Sequence, residues 1–429
     1  MVLTGRFVAL ISAGLILVLF YPHVWVALLW VLGALILMAI DLIAAGTTAM
    51  VLFRAPSAPI RLGEDGLTDL YITNPTGRRF RGSVRDSWQP SAGAHHTIHQ
   101  LDLPPHERQC LTTRLTPTRR GDRAAWRVTL RRLGPLRLAG RQRSHLVPGS
   151  IRALPPFGSR KHLPSRLARL RQLDGRSAVR IRGQGTEFDS LRDYVEGDDV
   201  RSIDWRATAR RNAMVVRTWQ PEKDRHIIIV LDTSRTSAGR VGDAPRLDAA
   251  MDAALLLAAL AAHAGDRVDF IAGDRIIHRR VVGAPRTTLL GDLVNAMTAL
   301  QPALLEADWP LLAAEVAKLS RQRALVVLLT PMEPAAVEES MLAPLSVLAT
   351  RHKVVLGSVG DPELTRMSEQ RDDADAIYDA AAAARTLMRR ERTETALGRI
   401  GVDVVDADPQ RLPAALADHY LMLKSRGLL

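Results

Sequence analysis

Residues 7–53 hold one charged side chain, Asp41. A stretch that apolar is poor material for the surface of a water-exposed fold, so it constrains the rest of the chain. It contains two runs. Phe7 to Phe20 reads FVALISAGLILVLF, and Val24 to Ala45 reads VWVALLWVLGALILMAIDLIAA. The second is long enough for a bilayer, which takes about 20 helical residues. The first is shorter and relies on Arg6 reaching back to the interface. Pro22, in the intervening YPHV, fits a tight turn. A cleaved signal peptide is the rival reading of the first run, but VLFYPHV offers no small-x-small cleavage site. The expectation is a transmembrane helical hairpin within residues 1–53, touching the membrane through residues 7–45. Arg6, Arg54 and Arg61 flank it, and the turn has no Lys or Arg. That pattern puts both ends, and the soluble domains, on the cytoplasmic side of the cell (inner or plasma) membrane. Asp41 reads as an interfacial carboxylate rather than a proton relay.

Charge is uneven along the remainder. Residues 54–152 carry 18 positive and 7 negative groups, and residues 160–223 carry 15 and 9. Residues 224–429 are net negative by four. A basic half beside a membrane favours anionic lipid, and basic charge also raises nucleic acid as a partner. No basic recognition helix, zinc spacing or aromatic-interleaved motif supports nucleic acid. Only five of the 58 basic residues are lysine, which points to a general bias toward arginine. Cys110 is the single cysteine, which excludes an intrachain disulfide and a cysteine zinc site.

Three soluble regions follow. Residues 54–158 contain short β-rich runs, LTDLYIT, RGSVRDSW and AWRVTLRRL. Turn signals NPTG, LPP, RRGDR and LGP separate them, which predicts a small β-sandwich-like domain. Residues 159–223 form a charged connector. Within it, acids including Asp193, Glu196, Asp198, Asp199 and Asp204 alternate with Arg192, Arg201, Arg206, Arg210 and Arg211. Tyr194, Val200, Ile203 and Trp205 interrupt them, and a solvated linker has no use for such residues. Glu196-Gly197-Asp198 reads as a tight turn. Two roles stay open: a structural salt-bridged clamp, or a docking face or ligand-contacting segment.

Residues 224–429 alternate strand and helix. Strands are expected at 226–231, 267–272, 276–282, 324–329, 353–359 and 402–405. Helices are expected near 246–263, 288–300, 309–321, 335–350, 374–397 and 410–424. FIAGDRIIHRRVV reads as a hairpin through Gly273-Asp274. The other strands are separated by helices, as in a doubly wound parallel sheet, whose ligands sit at the carboxyl ends of the strands.

Asp232 is at one such end, in HIIIVLDTSRTS. Asp232, Ser234 and Thr236 are spaced two apart. One carboxylate and two hydroxyls from one loop suit part of the oxygen shell of Mg²⁺ better than that of Zn²⁺. Here the chain resembles a von Willebrand factor A-like domain. Its signature is Asp-x-Ser-x-Ser after a strand, a Thr from a second loop and an Asp after a later strand. Thr236 stands for the second Ser. Thr287 or Thr288, in GAPRTTLL, is the candidate second-loop ligand. The later strand ends in Thr330-Pro331 rather than Thr-Asp, and Glu333 lies two residues beyond. A haloacid-dehalogenase-type phosphatase would need an acid where Ser234 stands, and a G-x-x-x-x-G-K-[ST] phosphate loop is absent.

A wider resemblance rests on LRDYVEGDDVRSIDWRATAR followed by LDTSRTS. The pattern Leu191-Arg192-x-Tyr194, Gly197-Asp198, Arg201-x-Ile203-Asp204-Trp205 and Ala209-Arg210 is similar to that of the bacterial domain-of-unknown-function family 58. The resemblance implies two membrane helices, a β domain and an A-like domain. It also implies work beside a MoxR-type AAA+ ATPase, as an adaptor or in assembling other proteins. The expected function is a membrane-anchored, non-enzymatic interaction protein. Its metal-binding candidates are Asp232, Ser234, Thr236 and Thr288. Arg192, Tyr194, Asp198, Arg201, Asp204, Trp205 and Arg210 are its candidates for partner or interdomain contact. A metal-dependent hydrolase using the Asp232 loop is one alternative. Anionic-lipid or nucleic-acid binding by the basic half is the other.

Overall fold

A computed structural model describes residues 1–46, 49–180, 187–196, 198–211, 213–220 and 225–429. Gly197 of the expected Glu196-Gly197-Asp198 turn lies outside the described residues. So do Gly185-Thr186 of the connector and the side chains of Glu187 and Asp189. The chain divides into two compact units, Met1–Leu154 and Pro155–Leu429.

The first unit opens with β1 (Val2–Leu3) and two helices, α1 (Gly5–Phe20) and α2 (Val24–Ala44). Val24–Ala44 is long and apolar enough to cross a membrane, and Gly5–Phe20 is a shorter apolar helix. At 1.5 Å per residue they measure about 24 and about 31 Å, against a hydrocarbon core of about 30 Å. They pack closely. A Cβ on Gly14 would lie 2.2 Å from the Trp30 ring, so only glycine admits that indole. The Trp30 ring nitrogen donates to the Leu10 carbonyl at 3.0 Å.

Ten strands follow: β2 (Val51–Arg54), β3 (Ile60–Arg61), β4 (Gly66–Thr73), β5 (Phe80–Trp88), β6 (Ala94–His95), β7 (Ile98–Leu103), β8 (Arg108–Leu115), β9 (Gly121–Leu133), β10 (Ala139–His145) and β11 (Ser150–Leu154). One sheet runs β2-β4-β8-β6. The other runs β1-β10-β9-β11-β3, with β5 paired to β9 and β7. Alternate residues of β4 are buried, the period-two pattern of a strand with one covered face. Leu70, Ile72 and Leu111 of the first sheet join Phe80, Val84, Leu103, Val128 and Leu130 of the second in one apolar cluster. Beside it, Arg54 and Asp86 form a bidentate pair at 3.0 and 2.5 Å, each side chain 1% exposed. The Trp88 indole and the Thr113 hydroxyl also donate to Asp86. Arg54 is therefore an interior charge, and the flanking cations read from sequence reduce to Arg6 and Arg61.

Asp41 differs from the interfacial reading as well. It is 1% exposed and accepts the backbone amides of Leu136, Leu138 and Ala139 at 2.7, 2.8 and 3.0 Å. The turn between β9 and β10 thus closes over this carboxylate. A Cβ at Gly134 would lie 2.2 Å from Asp41 Oδ1, so the approach requires glycine there. Thr4 Oγ1 donates to the carbonyls of Arg137 and Leu138 in the same turn.

The second unit starts with α3 (Leu163–Arg180), tied by Arg166 and Arg169 to Asp418. The connector forms an antiparallel pair, β12 (Glu187–Asp193) with β13 (Val215–Gln220), enclosing the short helix α4 (Trp205–Arg211). Next come β14 (His226–Asp232), α5 (Arg235–Ala238), the small pair β15 (Arg240–Val241) and β16 (Ala244–Pro245), and α6 (Arg246–His263). They are followed by β17 (Arg267–Gly273), β18 (Ile277–Val281), α7 (Leu289–Thr298), α8 (Trp309–Leu319) and β19 (Leu325–Leu329). The last elements are α9 (Pro334–Ala336), a π-helical turn Val337–Met341, α10 (Leu342–Arg351), β20 (Lys353–Val359), α11 (Pro362–Glu369), α12 (Ala374–Arg399), β21 (Val402–Ala407) and α13 (Leu412–Ser425).

The sheet order is β18-β17-β14-β19-β20-β21. β17, β14, β19, β20 and β21 are parallel, and β18 is an antiparallel edge. The expected strands are all present, and the hairpin turns through Asp274 as read. One face packs against α8, α10 and α12 through Trp309, Val316, Leu345 and Leu397, so the strands are buried and read as unbroken apolar runs. α6, from Leu247 to Ala261, is buried on almost every side, as a central helix of this architecture must be. Counting only parallel strands, the order is second-first-third-fourth-fifth. The chain reverses direction across the sheet between β14 and β19, and such a reversal opens a crevice at the carboxyl ends of the two strands.

Candidate functional site

That crevice is where Asp232 and Thr330 stand. Asp232 ends β14, and Thr330 follows β19 directly. The parallel register pairs Leu231 with Leu329, which brings the two polar residues level. Thr330 Oγ1 donates to Asp232 Oδ2 at 2.8 Å.

The loop after β14 folds over the same carboxylate. The Ser234 amide donates to Asp232 Oδ1 at 2.7 Å. The Ser234 and Thr236 hydroxyls each lie 3.0 Å from Oδ2, and 3.0 Å from one another. Ser237 Oγ reaches Oδ2 at 3.3 Å. Asp232 is 1% exposed and Thr330 3%. Burial pushes the Asp232 carboxyl above the ordinary carboxylate range. The Ser234 amide and the hydroxyls of Thr330, Ser234 and Thr236 pull the other way without cancelling it.

The three oxygens Asp232 Oδ2, Ser234 Oγ and Thr236 Oγ1 form a triangle with equal sides of 3.0 Å. Octahedral Mg²⁺ binds oxygen at about 2.0–2.1 Å, which separates adjacent ligands by about 3.0 Å. The triangle therefore has the dimensions of one face of that octahedron, and its donors are the hard oxygens such an ion takes. Among the described residues no group of three or more His, Cys, Asp or Glu stands ready for a metal. A cation here would rest on one carboxylate and hydroxyls that are themselves largely buried, Asp232 and Ser234 each 1% exposed.

Thr288 does not join this group. β18 runs back along β17, so the chain leaves the sheet at the opposite end from Asp232. There the Gly283 amide donates to Asp269, and Arg286 bonds the Gly265 carbonyl at the start of β17. Thr288 Oγ1 bonds the Pro285 carbonyl. Glu333 turns to Arg246 at 2.6 Å, linking the loop after β19 to the start of α6. Sequence reasoning left out Ser237, although it belongs to the quoted DTSRTS stretch, and treated Thr330 only as the neighbour of a missing acid. Asp274, at the end of the adjacent strand, accepts Thr233 Oγ1 at 3.1 Å and His278 Nε2 at 2.8 Å.

The connector residues separate into two groups. Arg192 pairs with Asp198 at 2.5 Å, and Asp198 also accepts the Val195 amide. Asp204 accepts the amides of Arg206 and Ala207 at the start of α4 and pairs with Arg217 at 2.9 Å. These bonds hold both carboxyls below the ordinary range. For Asp198 the Arg192 guanidinium dominates, and for Asp204 the Ala207 amide and then Arg217. Half-buried Tyr194 donates its amide to the Met214 carbonyl, closing the hairpin. The second group faces outward. Trp205 is 68% exposed, with Val200 at 63% and Met214 at 52%, and Arg201 and Arg210 are exposed too.

Residues 190–374 match the family model described as "Protein of unknown function DUF58". Two relatives are the uncharacterized proteins Rv1480 of Mycobacterium tuberculosis and Mb1516 of Mycobacterium bovis. Each is 26% identical over 186 residues, which is 42% of this chain and 57% of the relative. The match thus spans little more than half the length of these relatives. Among solved structures, PapD-like domain 7 of human CEP192 is 12% identical, covering 24% of this chain and 85% of that domain with a TM-score of 0.18. A score that low assigns no fold. The family match begins inside β12 and ends at the start of α12, so it takes in the connector from residue 190 onward, the Asp232 loop and Thr330. Over residues 190–374 this chain is thus similar to the domain of unknown function DUF58.

Proposed function

We propose that this is a membrane-anchored interaction protein whose Asp232 edge captures a protein partner with the help of Mg²⁺. In this reading α1 and α2 form a transmembrane hairpin with both ends cytoplasmic, and the second unit is a von Willebrand factor A-like domain. The triangle of Asp232, Ser234 and Thr236 oxygens carries the proposal, because its 3.0 Å sides match one face of an octahedral magnesium shell. A partner carboxylate, admitted by movement of the Asp232 loop, would add the negative charge that a single Asp leaves wanting. A MoxR-type AAA+ ATPase is the partner that the family resemblance names. The outward group around Trp205 offers a second place of contact.

The test is capture from detergent extracts by the full chain, with and without EDTA. Wild type should retain a partner that EDTA and Asp232→Ala both release. Capture that survives both would remove the metal from the proposal. Turnover of a phosphoester by purified protein, lost in Asp232→Asn, would replace it with the hydrolase reading.

A further inference from the structure

From Asp122 to Asp174 the chain carries thirteen Arg and Lys side chains and no carboxylate between those two. The middle of this run is the β9–β10 hairpin, whose turn is fixed at the roots of both apolar helices. Asp41 holds the turn from α2, and Thr4 holds it from the residue before α1. Arg141 Nε also reaches the Leu42 carbonyl at 3.4 Å. Arg6 stands in the first turn of α1. Arg6, Arg137 and Arg141 are all exposed, and among the described residues no ion pair engages them. Leu3 and Leu136, 48% and 49% exposed, lie in the same ring of residues.

Arg137 adds a second observation. Its φ is 56°, in the left-handed region that disfavours side chains with a Cβ by about 1–2 kcal/mol. Glycine or asparagine is the usual occupant of such a turn position. Arg137 thus holds an exposed guanidinium at a turn position where glycine would cost less.

We infer that Arg6, Arg137 and Arg141 form a binding site for the phosphate of anionic lipid headgroups, on the bilayer face where α1 begins and α2 ends. The inference rests on the membrane reading of those helices. The guanidinium forks take phosphate oxygens while Leu3 and Leu136 enter the acyl boundary. The lipid then bridges both helix roots and the hairpin that Asp41 holds.

The detergent-solubilised full chain is titrated with phosphatidylglycerol, phosphatidylcholine, inorganic phosphate and a single-stranded oligonucleotide, with bound molecules counted by native mass spectrometry. Phosphatidylglycerol should bind in preference to the other three. Arg137→Gly removes the cation and relieves the backbone, so the variant should melt no lower than wild type. Its affinity for phosphatidylglycerol should fall about five-fold, and further with Arg141→Gln added. Arg119→Gln, at the far end of β9, should change nothing. Equal binding of phosphatidylcholine, indifference to Arg137→Gly with Arg141→Gln, or a tighter hold on the oligonucleotide or on free phosphate through these arginines would each overturn the inference. Carbonate extraction reads the membrane assignment separately. A chain released by carbonate overturns that assignment, whereas a retained chain without lipid preference overturns this inference alone.

Discussion

Asp232 is a buried acid with five donors around it and no cation partner among the described residues, and its titration follows from that. Its carboxyl is raised above 3.8 by burial. A raised folded value means a contribution to stability that is full below the ordinary carboxylate range and is lost as pH rises through the folded value. Mg²⁺ needs the ionised form, so its effect runs the opposite way and grows with pH. Asp232→Asn should therefore melt higher than wild type at neutral pH without metal. A gain of about 1 kcal/mol moves the midpoint by roughly 2–4 °C in a domain of this size. Mg²⁺ should raise the wild-type midpoint at pH 8 more than at pH 5 and leave the variant unmoved, as thermal melts would show. A variant that responds to Mg²⁺ as wild type does would place the ion elsewhere. The acid and the Ser234 and Thr236 hydroxyls were legible because an apolar run ends in them. Thr330 was not, since its role depends on the register of β14 with β19, which one strand cannot reveal. Thr288 was misplaced because a hairpin reverses the chain between β17 and α7, sending that loop to the other end of the sheet.

At the scale of elements, the connector is a clamp and an outward face at once, and the two can be separated. The Arg192–Asp198 pair is partly exposed, at 37% and 20%. Arg192→Ala should therefore shift the denaturant midpoint only slightly. Trp205→Ala, on a side chain 68% exposed, should leave the melt unchanged and weaken partner capture. Unaltered capture would return Trp205 to an idle surface residue. The sequence pattern of acids, arginines and aromatics announced the segment but not this division. Which arginine finds an acid depends on how β12 and β13 pair. The strands and long helices of the second unit were plain in their periodicity. The helix expected near 335–350 is present as α9, a π-helical turn and α10 in continuous succession; only the widened π turn, with its i→i+5 bonds, was not read.

For the molecule as a whole, positive charge collects in the half that contains the apolar helices, and the first unit couples those helices to a β domain. That coupling passes through Asp41. Asp41→Leu deletes the acceptor of three backbone amides. The variant should still enter membranes, since leucine suits the helix better than aspartate. Its amides at Leu136, Leu138 and Ala139 should exchange with deuterium faster than in wild type, while those of the β4–β8 ladder should not change. Unchanged exchange at the turn would mean that β1 and Thr4 suffice to hold it. The sequence marked Asp41 as a lone acid in an apolar helix but could not show its partners, which lie 95 to 98 residues further along the chain. A consequence follows for mechanics. With this carboxylate seated, the β9–β10 turn is bolted directly to α2, so a force on that hairpin passes into the helix through three backbone amides. In the proposed reading, a tug on the β domain by an ATP-driven machine would load α2 through that joint, as a lever loads its fulcrum.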